Sequence, residues 1–260
     1  MAQAAEVNIS PIKPSRIGVI GIGNLGRPIA ERLLAAGLSV AVFDTDLAAV
    51  ANLNAQGASA CNTPVEMARA ADVILLVVRT AEDVEAVLFG QSGIAEAQRP
   101  DLLVCIVSTV ALDDLKRIAA KAAEQSLSVV DAAIGGGAPA VSTGTAAAMI
   151  GGTPAQYNRT KDVFAAFCGD LIHVPGIGGG MRLKLIKNHL SYLTMMVGLE
   201  AATLARAADI DLPLVTRVMD SSNLVKQFLY LYLDGADIEP LERNAPPAQI
   251  TTQKAMADLC

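Results

Sequence analysis

The stretch that most constrains this chain runs from Ser15 to Asp44, SRIGVIGIGNLGRPIAERLLAAGLSVAVFD. Arg16 to Ile20 is a short apolar run of the length and composition of a buried strand. It ends in Gly21-Ile22-Gly23-Asn24-Leu25-Gly26, after which Leu25, Ile29, Leu33 and Leu34 fall on one face of a helix. A second apolar run, Ser39 to Phe43, stops at Asp44, eighteen residues past Gly26. This order folds as strand, tight turn, helix and strand.

Each glycine of that turn has a physical use. Gly21 allows the turn itself, Gly23 lets a pyrophosphate approach the backbone, and Gly26 lets helix and strand pack closely. The free N–H groups and the positive end of the helix dipole then point at phosphates. A carboxylate at Asp44 accepts hydrogen bonds from both ribose hydroxyls and repels a 2′-phosphate, so NAD is expected over NADP, the more so because Thr45-Asp46-Leu47 brings no arginine. A glycine-rich turn can also join strand to helix with nothing bound. Here the strand, turn, helix, second strand and terminal acid all stand in the order and spacing that a dinucleotide site needs.

The rest of the chain repeats the unit. Asp72 to Val78 and Leu102 to Val107 are continuous apolar runs that suit strands buried on both faces. Helical stretches lie at Leu47 to Asn54, at Pro64 to Ala70 behind a capping Thr63, at Glu82 to Phe89 and at Leu112 to Ala123. Ser126 to Asp131, Thr145 to Ile150 and Leu171 to Val174 add strands, with a helix from Pro154 to Phe167 between the last two. The segment Gly135-Gly136-Gly137-Ala138-Pro139 reads as a loop almost without side chains. Strands alternating with helices predict an α/β fold, a doubly wound Rossmann-type sheet. Ligands of such sheets sit at the carboxyl ends of the strands, which nominates Thr45, Val78, Arg79, Asp83 and Thr109 as cofactor contacts beside the turn.

Past Pro175 the strand signals stop. A helical pattern from Met181 to about Asp209, a helix begun at Pro213, another from Ser222 to Leu233, a loop from Asp234 to Pro247 and a last helix near Thr251 predict a smaller all-α domain. The expected organisation is a loose tail over residues 1–14, a dinucleotide-binding domain over 15–175, and a helical domain over 176–260 for substrate and dimerisation. Leu224, Val225, Phe228, Leu229 and Leu231 to Leu233 are the expected interface of a homodimer or higher homo-oligomer.

Charge and composition narrow the function classes. The 260 residues carry a formal charge of −6 with no basic run, so no nucleic-acid or anionic membrane partner is expected. No apolar stretch reaches the ~18 to 20 residues of a membrane span, and the first fourteen lack the features of a signal peptide. Cys61, Cys105, Cys168 and Cys260 are widely spaced without a CxxC pair, which reads as free thiols in a reducing cytoplasm, with Cys105 inside a core strand and no metal site.

Lys184 and Asn188 lie four residues apart, on one helix face. A partly desolvated lysine with a lowered pKa can serve as general acid and base, whereas Arg182, Lys184 and Lys187 could equally form a solvated basic face. The sequence resembles the β-hydroxyacid dehydrogenases through four motifs in family order: GIGNLGRPIA, the strand end Ser108-Thr109, DAAIGGG from Asp131 to Gly137, and Gly178, Gly180, Lys184, Leu185 and Asn188 in the GxGxxxKLxxN pattern. The resemblance implies NAD- or NADP-dependent interconversion of a small β-hydroxyacid and its semialdehyde or keto acid. It implies Lys184 as catalytic lysine, Asn188 holding lysine and substrate, Gly135, Gly136 and Gly137 receiving the substrate carboxylate, and Lys254 as looser counterpart of a lysine that closes over the cofactor.

This chain departs from the family in having Gly135 where serine is usual and Val78-Arg79 where leucine-proline is usual. It also stops at Cys260, short of the usual family end, so the helical domain is expected to be trimmed or completed by a partner subunit. Two other readings stay open. One is the same enzyme class acting on an imine or a bulkier hydroxyacid. The other is a dinucleotide-binding oligomerisation module without catalysis.

Overall fold

The computed structural model describes residues 16–222, with side chains described for 16–220. The order is β1 (Arg16–Ile20), α1 (Gly26–Ala35), β2 (Ser39–Phe43), α2 (Leu47–Ala55), β3 (Ser59–Ala60), α3 (Pro64–Ala70), β4 (Val73–Leu76) and α4 (Ala81–Phe89). It continues through β5 (Leu103–Ile106), α5 (Leu112–Glu124), β6 (Ser128–Gly135), α6 (Gly137–Thr143), β7 (Ala146–Gly152), α7 (Pro154–Phe164) and β8 (Cys168–Pro175). Two helices follow, α8 (Gly179–Ala207) and α9 (Leu212–Ser222).

Among the described residues one sheet of eight strands carries the order β3-β2-β1-β4-β5-β6-β7-β8. The chain winds outward from β1 to β3 and then returns to build from β4 on β1's other side. The topological switch point, where ligands bind in open α/β sheets, therefore lies between β1 and β4. Alternation along the strands sends side chains to both faces. Val73, Leu75, Leu103 and Cys105 meet α1, α2 and α7 on one face, while Ile74, Leu76, Val104 and Ile106 meet α3, α4 and α5 on the other.

One expectation needs correction. The Gly135–Pro139 segment is not an open loop, because β6 runs on to Gly135 in register with Ala147 of β7 and α6 starts at Gly137. Neither feature is coded locally. The strand is extended by its pairing with β7, and α6 is held by its buried Val141 rather than by helix propensity. Since β6 and β7 are joined only through this short helix, the chain reverses and they pair antiparallel, whereas a parallel return needs a crossover of roughly a dozen residues or more.

Contacts divide the chain into two compact units, Met1–Ser191 and Tyr192–Cys260. The first turns of α8 belong with the sheet, where Met181 is fully buried. Among the described residues no helix is long and apolar enough to cross a membrane. The expected helix from Ser222 to Leu233 with its interface residues, the loop to Pro247, the helix near Thr251 with Lys254, and Cys260 lie outside the described residues.

Candidate active site

At the end of β1 the chain turns through Gly21, whose φ of +86° is a conformation glycine adopts without strain. A Cβ at Gly21 would collide with the Val77 carbonyl at the end of β4, and a Cβ at Gly26 would collide with the Gly21 carbonyl. Gly23 differs: it is exposed, and a Cβ there would meet no protein atom within 4 Å. The helix that follows, α1, has Leu25 at its N-cap, with no side-chain cap and no acid in its first turn. By contrast, Asp46, Thr63, Thr80 and Thr153 cap α2, α3, α4 and α7, and uncapped α5 carries Asp113 and Asp114 instead. The start of α1 thus keeps its donors and positive dipole end beside an approachable backbone, which fits a pyrophosphate.

Asp44 is drawn into this turn. One carboxylate oxygen accepts from Ile22 N–H at 2.7 Å and the other from Asp46 N–H at 2.9 Å. The Thr45 hydroxyl stands 3.4 Å from the second oxygen. On the opposite side, the Val78 methyl comes within 3.3 Å of a Cβ built at Gly21, and Val78 N–H donates to the Ser108 hydroxyl at 2.9 Å. Ser108 is buried and also donates to the Leu76 carbonyl, so it fixes how the chain leaves β4. Thr109 is exposed at the same edge. Arg79, its side chain 90% exposed, pairs with Asp83 at 3.6 Å, and Asp83 N–H is occupied by the capping hydroxyl of Thr80.

A second group of residues gathers where β6 ends. Lys184 sits in the second turn of α8, half-buried, and its ammonium donates to the Ile134 carbonyl at 2.5 Å. That carbonyl immediately precedes Gly135, while Gly136 (φ +95°) and Gly137 (φ +66°) are exposed just beyond it. Burial pushes the Lys184 amine below its ordinary value, and the neighbouring Lys187 charge pushes in the same direction. Asn188 follows one turn along the same face, half-buried. The structure therefore brings Lys184 to the triglycine segment, and both fall in the first unit.

In the sequence Asp131 only opens the DAAIGGG motif, although a lone carboxylate inside the apolar run SVVDAAIG is a signal of a buried role. It is fully buried and accepts from Gly178 N–H and Met181 N–H, each at 2.6 Å. Burial pushes its carboxyl up, opposed by these two N–H groups and by the charge of Arg182. Cys105 is buried in β5 as expected, and burial raises the Cys168 thiol to about 12. Cys61, Cys105 and Cys168 are free thiols. Among the described residues no group of three or more His, Cys, Asp or Glu could hold a metal ion.

This Rossmann-type sheet, with its glycine turn at the switch point, matches a known domain: residues 16–176 fit the family model of the NAD binding domain of 6-phosphogluconate dehydrogenase. The chain is 34% identical over 208 residues to an uncharacterized oxidoreductase of Mycobacterium tuberculosis, covering 80% of this chain and 70% of the relative. It is 32% identical over 206 residues to 3-sulfolactaldehyde reductase of Escherichia coli, covering 79% and 69%. Among solved structures, Mycobacterium tuberculosis 3-hydroxyisobutyrate dehydrogenase with L-serine aligns with a TM-score of 0.74 at 26% identity, covering 80% of this chain and 70% of that one. The chain belongs to the β-hydroxyacid dehydrogenase family, an oxidoreductase built on a 6-phosphogluconate dehydrogenase-like dinucleotide-binding domain.

Proposed function

We propose that this chain is an NAD-dependent dehydrogenase that interconverts a small β-hydroxyacid and its semialdehyde or keto acid, with Lys184 as general acid and base. The observation that carries the reading is the Lys184 ammonium on the Ile134 carbonyl, which puts a half-buried amine beside Gly135, Gly136 and Gly137.

The dinucleotide is held, on this reading, by the turn Gly21 to Gly26, by Asp44 and Thr45 at the ribose, and by Val78, Arg79, Asp83 and Thr109 along the sheet edge. When bound, the nicotinamide accepts the hydride released from the carbinol carbon, or returns it in reduction. In oxidation the neutral Lys184 amine takes the hydroxyl proton as the carbonyl forms, and in reduction the ammonium gives it back. A lowered pKa suits this work, because it increases the fraction of amine able to accept a proton near neutral pH. Asn188 steadies the reacting oxygen from the next turn. The backbone N–H groups of Gly136 and Gly137 receive the carboxylate, and Gly135 contributes no hydroxyl.

The test is a screen of small hydroxyacids with NAD and NADP, followed at the absorbance band of the reduced cofactor, on wild type and Lys184→Ala. Turnover should fall by ~10² to 10⁴-fold in the variant, while NAD binding by calorimetry holds. A variant that keeps more than about a tenth of wild-type turnover would show that Lys184 is not the proton carrier. Bound NAD without turnover of any hydroxyacid would favour a binding module instead.

We further propose a homodimer or higher homo-oligomer. In the second unit Tyr192, Leu193, Met195 and Met196 of α8 are all more than half exposed, an apolar surface of the kind that marks interfaces. A monomer by light scattering at micromolar concentration would contradict it.

A further inference from the structure

β6 runs Ser-Val-Val-Asp-Ala-Ala-Ile-Gly, with one charged residue in a strand whose other members are small or apolar. A carboxylate fully buried at that place must be compensated. Among the described residues no cation lies within ion-pair distance of it. Its two oxygens instead take one N–H each, from Gly178 just before α8 and from Met181 in its first turn, at 2.6 Å. Bonds this short to an ionised acceptor are the strong kind, and they face the positive end of the helix dipole.

Three glycines make the fit possible. A Cβ at Gly151, the residue paired with Asp131 across β7, would fall on the carboxylate. A Cβ at Gly180 would overlap the Met149 carbonyl and come within 3.1 Å of the same carboxylate. Gly178 holds φ at +82°, a left-handed conformation suited to glycine, and its N–H donates to Asp131. One helical turn after Met181 comes Lys184, whose ammonium returns to the Ile134 carbonyl three residues along the same strand. The same strand and the same first turns of α8 are thus tied twice, by a buried carboxylate at 131 and by the lysine itself at 134.

We propose that Asp131 is the positioning residue of this site: by holding the first turn of α8 on β6 it sets where the Lys184 amine meets the triglycine segment. The inference rests on the role proposed above for Lys184. An error of about 1 Å in placing a reacting group can cost on the order of 10²-fold in rate. Asp131→Asn is a suitable perturbation, since an amide offers one acceptor oxygen and turns an NH₂ donor against the second backbone N–H.

The experiment titrates the full-length protein by NMR with labelled lysine, the Lys184 resonance being assigned by its loss in Lys184→Ala. In wild type Lys184 should titrate below the exposed lysines, and in Asp131→Asn it should move toward them. An unchanged Lys184 titration, even with lowered thermal stability, would mean that Asp131 is merely structural and would overturn the proposal. Where a hydroxyacid is turned over, Asp131→Asn should lower kcat by about 10- to 100-fold, with NAD binding unchanged. That loss should vanish on the Lys184→Ala background, and an additive loss would also overturn it. Should Asp131→Asn fail to fold, Gly178→Ala disturbs the donor instead, through the strain of a side chain at φ +82° and the approach of its methyl to Leu112 and Leu115, and is read by the same titration against the same outcomes. The titration needs no substrate, so absent turnover would count against the functional reading and leave this one decided separately.

Discussion

Replacing Asp44 with alanine is expected to cost stability before it affects any cofactor. Its carboxylate has about four acceptor sites, and the protein engages both oxygens, through Ile22 N–H, Asp46 N–H and the Thr45 hydroxyl. Ile22 is only 2% exposed, so water cannot replace the acceptor there, and an unsatisfied buried donor costs ~1 to 3 kcal/mol. Asp46 is exposed, so its N–H recovers a bond from water and adds little. A total near ~2 kcal/mol corresponds to a lowering of the melting temperature by roughly 4 to 8 °C for a chain of this size. Asp44→Asn keeps an acceptor for Ile22 while removing the charge, and should recover most of that loss. Thermal unfolding without cofactor reads the stability, and calorimetry with NAD and NADP reads the discrimination. Both variants should narrow any preference for NAD, but only alanine should melt early. An alanine variant as stable as wild type would refute the role given to the Ile22 bond. Parity between NAD and NADP in wild type would refute the role given to the charge.

Two further outcomes follow from the site. Lys187→Gln removes a like charge that depresses the Lys184 pKa, so that pKa should rise and the acid limb of kcat/KM for oxidation should move to higher pH. The displacement should shrink as salt is added, and an unmoved limb at low ionic strength would show that Lys187 does not act on Lys184. Gly23→Ala should melt like wild type, because its Cβ meets nothing, yet bind NAD at least ~10-fold more weakly, about 1.4 kcal/mol. Gly26→Ala should lose ~1 to 3 kcal/mol of stability as well, since its Cβ collides with the Gly21 carbonyl. Calorimetry and thermal unfolding on the pair would expose a reversed order.

How far the sequence could be read depends on whether a residue's partner is near in the chain. β1 and β2 are found at the expected residues because short apolar runs bounded by turn residues describe buried strands with no outside help. α3 is found because Thr63 and Pro64 state its start, and the hydroxyl does accept from Glu66 N–H. The glycine turn was legible for the same reason, since its geometry is built within a single strand–helix unit. α6 was missed because its stability comes from contacts with distant elements rather than from its own residues. Asp131 was passed over because its donors lie 47 and 50 residues away, and Lys184 finds Ile134 across an equal separation of 50. Ser108 stands in a motif of the sequence, but its bond to Val78 crosses 30 residues and leaves no local signal.

The one departure from the family that the structure can weigh physically is Gly135. The other glycines near the site are demanded by the fold: Gly136 and Gly178 hold left-handed backbone, and a Cβ at Gly151 or Gly180 would strike the Asp131 carboxylate or the Met149 carbonyl. Gly135 is not of this kind. Its backbone is ordinary strand, and a Cβ there would rest against Ala147 and Met149 at 3.6 to 3.7 Å, ordinary van der Waals contact. A serine would therefore fit where the family carries one. Packing does not force the hydroxyl out, so its absence bears on the chemistry of the site. On the reading proposed above, a substrate beside Lys184 is held by backbone N–H groups, by Asn188 and by the lysine, without the serine hydroxyl that the family resemblance leads one to expect at position 135.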